Sequence, residues 1–365
     1  MLIADTSVAV PKLMRAAVYR GRGSIAVETV PTPQAGPGEL LVRVESCGVC
    51  HTDLKKVEHD LLPPPRIFGH EMAGVVAAVG EGVRTFQPGQ PVVAFHHSPC
   101  SDCFYCRRRL YAQCATYKRV GITAGFEPAG GGFSEYVRVM DWIVRRGVIP
   151  VPDGVPLDRA CFVEPVNTCL KAVRQLALEP GELVVVLGQG PIGLIFTMLA
   201  RRAGAVVVAT DMIARRRELA ARMGAAGAWA PRDTDIVKEV ASMTGGRGGD
   251  VVIVAVSAPG ITGQAIACSR PGSRILLFSQ TSHRERIEMS GADICVGERL
   301  VLGSYSASVD LQEESARLVF SGELPLEDLI SHRFPLDRIR EGIDIALHPD
   351  EQSLKIVIQP QRRTS

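Results

Sequence analysis

Residues 181–211, GELVVVLGQGPIGLIFTMLARRAGAVVVATD, constrain the fold more than any other stretch of the chain. The uninterrupted apolar run 183–187 predicts a buried strand, and residues 191–202 predict a helix that opens on a proline. A second apolar run leads to Asp211, so the order of elements is strand, helix, strand. This βαβ unit predicts an α/β domain built on a doubly wound parallel sheet.

The turn between the first strand and the helix carries a glycine-rich pattern, G-x-G-x-x-G, made of Gly188, Gln189, Gly190, Pro191, Ile192 and Gly193. Its glycines let the backbone approach a pyrophosphate at the positive N-terminus of the helix. Asp211, at the end of the next strand, is suited to bind the adenosine ribose hydroxyls and to repel a 2′-phosphate. A Rossmann domain that binds NAD is therefore expected. The nearby Arg215 and Arg216 keep NADP as the less favoured alternative, since an arginine can accommodate a phosphate.

Length, composition and charge narrow the class of protein. A chain of 365 residues is too long for one compact core, so two domains are expected. The net charge of +2 and the short, scattered basic clusters argue against a nucleic-acid partner. The N-terminus lacks the pattern of a signal peptide, which favours a cytoplasmic protein without a membrane span. Ten cysteines in a reducing compartment then favour metal sites or free thiols over disulfides.

Four of these cysteines follow the spacing C-x2-C-x2-C-x7-C, at Cys100, Cys103, Cys106 and Cys114. Disulfides, a redox dithiol and a metal site are the three explanations to weigh. Two overlapping C-x-x-C units without a surrounding thioredoxin-like βαβ pattern disfavour the redox dithiol. Short gaps let the sulfurs converge on one ion, and four thiolates leave no open position for substrate. Residues 98–116 are therefore predicted to form a lobe around a structural zinc ion.

A second candidate metal site lies upstream, where Cys50, His70 and Glu71 offer one sulfur, one nitrogen and one oxygen ligand. A catalytic zinc ion needs about three protein ligands and one exchangeable position. Each residue alone has an ordinary explanation, such as a buried small thiol or a surface histidine. The pattern G-H-E-x-x-G-x5-G around His70 makes the combination specific, because its glycines permit close backbone approach beside a metal.

The segments CGVCHTD and GHEMAGVVAAVG and the four-cysteine lobe, in this order, are similar to the zinc-dependent medium-chain alcohol dehydrogenase family. The resemblance runs from about Met14 to the C-terminus. It implies a mainly β catalytic domain with a partly open barrel at residues 1–160. An NAD-binding domain follows at 161–304, and a return segment at 305–365 completes the catalytic domain, which is therefore discontinuous.

The resemblance also implies roles at the catalytic metal. Cys50 and His70 would be direct ligands, and Glu71 an adjacent carboxylate that binds the metal in some states. Thr52 would hydrogen-bond the substrate oxygen and begin the proton relay. Lys55 stands where many relatives carry the histidine that ends this relay, so its part in proton transfer stays open.

Further residues would bind the cofactor by resemblance. His51 and Lys355 are expected near the pyrophosphate, and Thr168 is expected to face the nicotinamide. Residues that follow the later strands of the Rossmann sheet would contact the nicotinamide end of the cofactor through their backbone: Val256, Phe278, Ser279 and Gln280.

Glu164, followed by Pro165, occupies the place where alcohol dehydrogenases in the narrow sense supply a third zinc ligand as cysteine. This departure resembles the sorbitol (polyol) and threonine dehydrogenase branches, in which the glutamate lies at the metal, often through a water. The resemblance therefore implies hydride transfer from a secondary alcohol, a polyol or a sugar, to NAD, with two zinc ions in each chain.

Two alternatives remain from the sequence. One is oxidation of an amino-acid alcohol by a threonine 3-dehydrogenase-like enzyme, and the other is a non-catalytic redox sensor that binds zinc and NAD. The intact set of Cys50, Thr52, His70 and Glu71 argues against the sensor, and also against a zinc-free quinone or enoyl reductase. Relatives suggest a homodimer or a homotetramer.

Overall fold

The computed structural model describes residues 10–279 and 287–363. By its internal contacts the chain divides into two compact units. The first consists of Met1–Glu164, Ser308–Pro349 and Ser353–Ser365, and the second of Pro165–Ala307 and Asp350–Gln352. The sequence placed these breaks after residue 160 and after residue 304. It did not indicate the short piece 350–352, which joins the second unit.

The N-terminal part of the first unit, described from residue 10 onward, contains eight strands. These are β1 (Leu13–Gly21), β2 (Ser24–Pro31), β3 (Leu40–Gly48), β4 (Glu71–Val79), β5 (Pro91–Ala94), β6 (Ile122–Thr123), β7 (Tyr136–Val139) and β8 (Val148–Pro150). Three helices accompany them: α1 (His51–His59), α2 (Asp141–Val144) and α3 (Leu157–Ala160). The expectation of a mainly β first domain is thus confirmed.

The second unit alternates helices with strands. Its helices are α4 (Val163–Leu176), which starts two residues before the unit, α5 (Pro191–Arg202), α6 (Ala214–Arg222), α7 (Ile236–Met243), α8 (Ile261–Cys268) and α9 (Gly291–Cys295). Its strands are β9 (Leu183–Leu187), β10 (Val206–Thr210), β11 (Gly227–Trp229), β12 (Gly249–Val254), β13 (Ser269–Leu277) and β14 (Leu300–Gly303). The strands form one sheet in the order β11-β10-β9-β12-β13-β14, and every pair in it is parallel. The predicted βαβ unit and Rossmann sheet are confirmed.

The C-terminal stretch returns to the first unit with α10 (Gln312–Phe320), β15 (Ile330–Pro335), α11 (Ile339–Leu347) and β16 (Lys355–Gln359). β16 pairs antiparallel with β3, where Val357 lies opposite Gly48 and Ile358 opposite Cys47. On its other side, β3 pairs with β4, which places Gly48 opposite Glu71. Among the described residues, no helix combines the length and the apolar character that crossing a membrane requires.

The first unit has a continuous apolar core between its sheets and helices. Tyr19, Phe68 and Phe133 are among its largest fully buried side chains, and the rings of Tyr19 and Phe68 pack 5.2 Å apart. Burial of this many apolar side chains supplies the main favourable free energy of folding. The ends of β3, β4 and β16 are therefore held rigidly, and the candidate metal ligands lie at these ends.

Candidate metal and cofactor sites

Four cysteine sulfurs converge in the predicted structural lobe. The Sγ atom of Cys106 lies 3.6 Å from that of Cys103 and 3.9 Å from that of Cys100, and Cys100 lies 3.6 Å from Cys114. A disulfide would hold two sulfurs about 2.05 Å apart. A tetrahedral zinc ion with Zn–S bonds of about 2.3 Å separates its sulfurs by about 3.8 Å. The spacing therefore fits four thiolates around one zinc ion.

Backbone N–H groups in the lobe point at the sulfurs. The N–H of Cys103 donates to Cys100 Sγ over 3.4 Å, and the N–H of Cys100 donates to Cys114 Sγ over 3.5 Å. Burial alone would raise the pKa of Cys114, but backbone donors, including Cys100 and Tyr117, lower this pKa to about 6. Donors to sulfur favour the thiolate form, which is the form that binds a metal.

The second group of candidate ligands is brought together by the ends of β3 and β4. Cys50 follows β3 and is the N-cap residue of α1, while His70 directly precedes β4 and Glu71 begins it. One ligand atom from each of the three residues lies within 4.8 Å of the other two. Pairing of the two strands closes the gap of about twenty residues between Cys50 and His70. The three side chains fit one metal ion with a fourth position left open.

Asp53 orients the histidine of this group. Its Oδ1 lies 3.1 Å from His70 Nδ1, which leaves Nε2 for the metal, as in other sites where a carboxylate supports a ligating histidine. Burial would raise the pKa of Asp53, but His70, Lys56 and the N–H of Gly69 lower it to about 2. Burial would lower the pKa of His70, but Asp53 and Cys50 raise it well above its usual value.

The sequence reasoning assigned no role to Asp53, although it lies within the motif CGVCHTD. One signal was available, because Asp53 stands in the first turn of α1, three residues after a candidate ligand. A buried carboxylate one turn from a metal-binding cysteine is a common support for a second ligand.

Glu71 has a second partner that the sequence did not indicate. The ammonium group of Lys355 forms a buried ion pair with Glu71 Oε2 and also donates to the carbonyl oxygen of Val49 over 3.1 Å. The structure thus places Lys355 beside the candidate metal ligands. Its expected contact with a cofactor pyrophosphate stays a prediction.

Glu164 is buried near this group, but it is not one of the three residues whose ligand atoms converge. Burial, together with the charge of Glu71, raises the pKa of its carboxyl group to about 7, although His70 and Lys355 act in the opposite direction. A carboxyl group with this pKa can serve either as an anion or as a hydrogen-bond donor near neutral pH. Its role as a zinc ligand, directly or through water, stays a prediction.

The remaining expected catalytic residues lie on α1, immediately after Cys50. Thr52 is the second residue of this helix and is partly buried, and Lys55 is also partly buried. His51 begins the helix, and burial of its ring together with the charge of Lys55 lowers its pKa. Thr52 therefore lies in the first turn of α1, two positions after the candidate ligand Cys50. The proton relay itself stays a prediction.

The glycine-rich turn has the form that a pyrophosphate requires. Gly188 adopts a φ of 92°, and a Cβ atom there would collide with Val256. Gly193 lies so close to the carbonyl oxygen of Gly188 that no side chain fits. At Gly190, by contrast, a Cβ atom would enter open space, just where Pro191 begins α5. Open space at the N-terminus of a twelve-residue helix fits a bound diphosphate.

Asp211 is fixed by the backbone at the end of β10. Its Oδ2 accepts the N–H of Gln189 over 2.7 Å, and its Oδ1 accepts the N–H of Ile213 over 2.9 Å. Arg216 Nη1 lies 3.9 Å from the same carboxylate, and burial lowers the pKa of this arginine. The acidic group that would bind the ribose is therefore pre-oriented, and a cationic group lies beside it.

A cavity of about 580 Å³ opens beyond the ends of β12 and β13 in the second unit. Three of the residues expected at the nicotinamide end of the cofactor, Val256, Phe278 and Ser279, line this cavity. Gln280 lies outside the described residues. Thr168 is buried in α4 and donates its hydroxyl to the carbonyl oxygen of Pro165 over 2.9 Å, so its predicted contact with nicotinamide requires this bond to change or be shared.

A mainly β unit with an open three-ligand metal group, a closed four-thiolate lobe and a nucleotide-binding Rossmann unit define a zinc-dependent dehydrogenase. Residues 36–153 match the alcohol dehydrogenase GroES-like domain, and residues 191–321 match the zinc-binding dehydrogenase domain. The chain is 30% identical to an (R,R)-butanediol dehydrogenase of Neisseria gonorrhoeae, over 95% of this chain and 99% of that protein. The chain belongs to the zinc-dependent medium-chain alcohol dehydrogenase family, as the motifs indicated.

Two further similarities bear on substrate and cofactor. An L-threonine 3-dehydrogenase of Pyrococcus horikoshii is 30% identical over 89% of this chain and 92% of its own length. The solved structure of a zinc-binding dehydrogenase from Sinorhizobium meliloti, bound to NADP, superposes with a TM-score of 0.86. It is 29% identical and is covered over its whole length by 96% of this chain.

Proposed function

We propose that this zinc-dependent oxidoreductase oxidises a secondary alcohol that carries a neighbouring hydroxyl group, a polyol or sugar, and that it passes the hydride to NAD. The convergence of Cys50, His70 and Glu71, with Glu164 buried nearby, is the observation that carries this proposal. A carboxylate in place of a thiolate as the third ligand makes the ligand set harder and less tightly closed. A second substrate oxygen can then be accommodated, which favours vicinal diols over simple alcohols.

The protein's own residues perform the supporting chemistry. A zinc ion held here would supply Lewis acidity that lowers the pKa of a substrate hydroxyl. Asp53 keeps Nε2 of His70 turned toward the metal position. The Thr52 hydroxyl would take up the proton that the substrate hydroxyl loses and at the same time pass its own proton on toward solvent. The apolar core under β3 and β4 keeps these groups in place without reorganisation during the reaction.

The test compares butane-2,3-diol with butan-2-ol, which differ by one hydroxyl group on the adjacent carbon. Formation of NADH is followed for each, and kcat/KM is expected to be at least about tenfold higher for the diol, or about 1.4 kcal/mol. Equal values would remove the basis for choosing a polyol.

The second candidate is oxidation of an amino-acid alcohol, which the similarity to the Pyrococcus L-threonine 3-dehydrogenase favours. L-threonine carries an ammonium group where the diol carries its second hydroxyl. A higher kcat/KM for L-threonine than for butane-2,3-diol in the same assay would select this candidate.

We propose NAD over NADP on the strength of the pre-oriented carboxylate of Asp211. The burial of Arg216 beside it and the NADP found in the Sinorhizobium structure are the opposing observations. Asp211→Ser removes the repulsion of a 2′-phosphate, so the ratio of kcat/KM for NAD to that for NADP should fall about tenfold. Wild type that already prefers NADP would make Arg216 the determinant.

We further propose two zinc ions in each chain and a homodimer or homotetramer in the cytoplasm. The two separate ligand groups support two ions, and ten cysteines, all within the described residues and without a disulfide among them, fit a reducing compartment. β14 is the last strand of the Rossmann sheet, and Val296, Leu300 and Tyr305 near it are exposed apolar residues. Such an edge is suited to pair with a second copy. Metal analysis and light scattering test these two points.

A further inference from the structure

The ion pair between Lys355 and Glu71 lies directly behind the candidate catalytic metal group. The two side chains are only 6% and 3% exposed. Glu71 is at the same time one of the three residues whose ligand atoms converge. One carboxylate therefore has two cationic partners available, the ammonium of Lys355 and a metal ion beside Cys50 and His70.

A glycine in β3, Gly48, provides the space that this ion pair occupies. Gly48 lies opposite Glu71 in the pairing of β3 with β4, and opposite Val357 in the pairing of β3 with β16. A Cβ atom on Gly48 would collide with Glu71 Oε2 and would lie 2.7 Å from Lys355 Cε. Gly48 does not have a positive φ, so the space, and not the backbone conformation, requires a glycine here.

A backbone hydrogen bond also holds the ammonium group of Lys355 in place. The ammonium donates to the carbonyl oxygen of Val49, one residue before the ligand Cys50. The positive charge is thus fixed at one place relative to Glu71, on the backbone that also carries Cys50.

We propose that Lys355 is a positioning residue that competes with the catalytic metal for the Glu71 carboxylate, so that Glu71 can leave the metal and free a position for substrate. The inference rests on the catalytic metal site of the proposed function. A buried carboxylate that loses its partner is strongly disfavoured unless another cation is within reach. Without Lys355, the nearest such cation is the metal, and Glu71 would close on it as an additional ligand.

The test uses cobalt exchanged into the open site while zinc stays in the closed four-thiolate lobe, since cobalt absorption bands report the number of ligands. In Lys355→Met, which keeps length without charge, we expect the bands to shift toward a higher coordination number. Release of metal to a chelator should become at least about tenfold slower, within the range that supporting residues have on metal affinity. Wild-type bands and an unchanged release rate in folded Lys355→Met would overturn the proposal.

Two matched variants isolate the effect of Glu71. In Glu71→Gln, the further change Lys355→Met should alter neither the bands nor the release rate, because no carboxylate is left to move. Lys355→Arg keeps the charge and should retain a wild-type spectrum. If the double variant shows the same shift as Lys355→Met alone, the change does not act through Glu71, and the proposal is wrong.

A second route covers the case in which Lys355→Met does not fold. Gly48→Ala pushes the ion pair apart without removing a charge, so it should produce the same shift in the bands, again only when Glu71 is present. No shift in folded Gly48→Ala would overturn the proposal. Wild-type protein without cobalt at this site would overturn the metal assignment itself, whereas a normal wild-type spectrum that no variant changes would overturn only the role of Lys355.

Discussion

The two candidate metal groups of the first unit use similar ligands for opposite purposes. In the lobe at 98–116, neighbouring cysteine sulfurs lie 3.6 to 3.9 Å apart, as they do in a completed tetrahedral shell. At the ends of β3 and β4, only Cys50, His70 and Glu71 converge, and Glu71 is partly engaged by Lys355. A closed shell stabilises a fold, while an incomplete shell leaves room for chemistry.

The surroundings of the two groups differ in the same sense. The lobe uses short 3-10 helices, Cys106–Arg108 and Tyr111–Gln113, and its sulfurs receive backbone N–H donors. The open group uses ionisable side chains from three separate elements, namely Asp53 on α1, Glu164 on α4 and Lys355 on β16. Local backbone is enough to hold a structural ion, whereas tuning of a reactive metal requires charges placed by the tertiary fold.

The largest expected effect is a loss of turnover when a ligand of the open group is removed, with the closed group left unchanged. Cys50→Ser removes a ligand of the open group, so turnover should fall by at least about a thousandfold, about 4 kcal/mol in the barrier. The melting temperature should stay within a few degrees of wild type, because the lobe is intact. Steady-state kinetics and calorimetry on the same samples measure both, and retained turnover would exclude Cys50 as a ligand.

The second prediction is a loss of thermal stability when a ligand of the closed group is removed. Cys103→Ser opens the closed shell, and loss of the structural zinc should cost about 3 kcal/mol or more. For a unit of this size the melting temperature should fall by about 6 to 12 °C. Thermal unfolding with metal analysis provides the measurement, with Cys295→Ser, at an exposed thiol outside both groups, as the control. Melting of Cys103→Ser at the wild-type temperature would show that the lobe does not depend on a metal.

A third change sharpens the contrast between local and distant support. Asp53→Asn keeps the shape of the side chain but removes the charge that faces His70, so metal affinity of the open group should fall about 10- to 100-fold. The four-thiolate lobe should retain its zinc. Titration with a coloured chelator distinguishes the two populations, and equal loss from both groups would contradict separate sites.

The smallest expected effect is a change in substrate preference when Glu164, expected at the third ligand position of the open group, is replaced. Glu164→Cys supplies a thiolate where the carboxyl group now lies and makes the open group more like the closed one. The advantage of butane-2,3-diol over butan-2-ol should shrink about threefold to tenfold, while zinc content stays near wild type. Kinetics with both alcohols on both proteins give the comparison. An unchanged ratio would mean that Glu164 does not influence the choice of substrate.

Much of the site could be predicted because its signals are short. The glycine-rich turn lies between a strand and a helix that are adjacent in the chain, and only two to seven residues separate successive cysteines of the lobe. Glu71 was identified as a candidate ligand from its place beside His70. Lys355 was expected at a pyrophosphate, and its ion pair with Glu71 was not foreseen, because no local pattern connects residues so far apart in the chain.

The sequence by itself determined the family, the Rossmann sheet and the glycine-rich turn, and it predicted the residues that converge in the two groups of candidate ligands. These features depend on residue type and on spacings within one or two elements, where the backbone has few alternatives. Only the tertiary structure decided that Asp53 supports His70, that Glu164 is buried outside the converging group, and that Lys355 engages Glu71. The physical reason is that buried charges act through their distances, and these distances are set by the pairing of β16, β3 and β4.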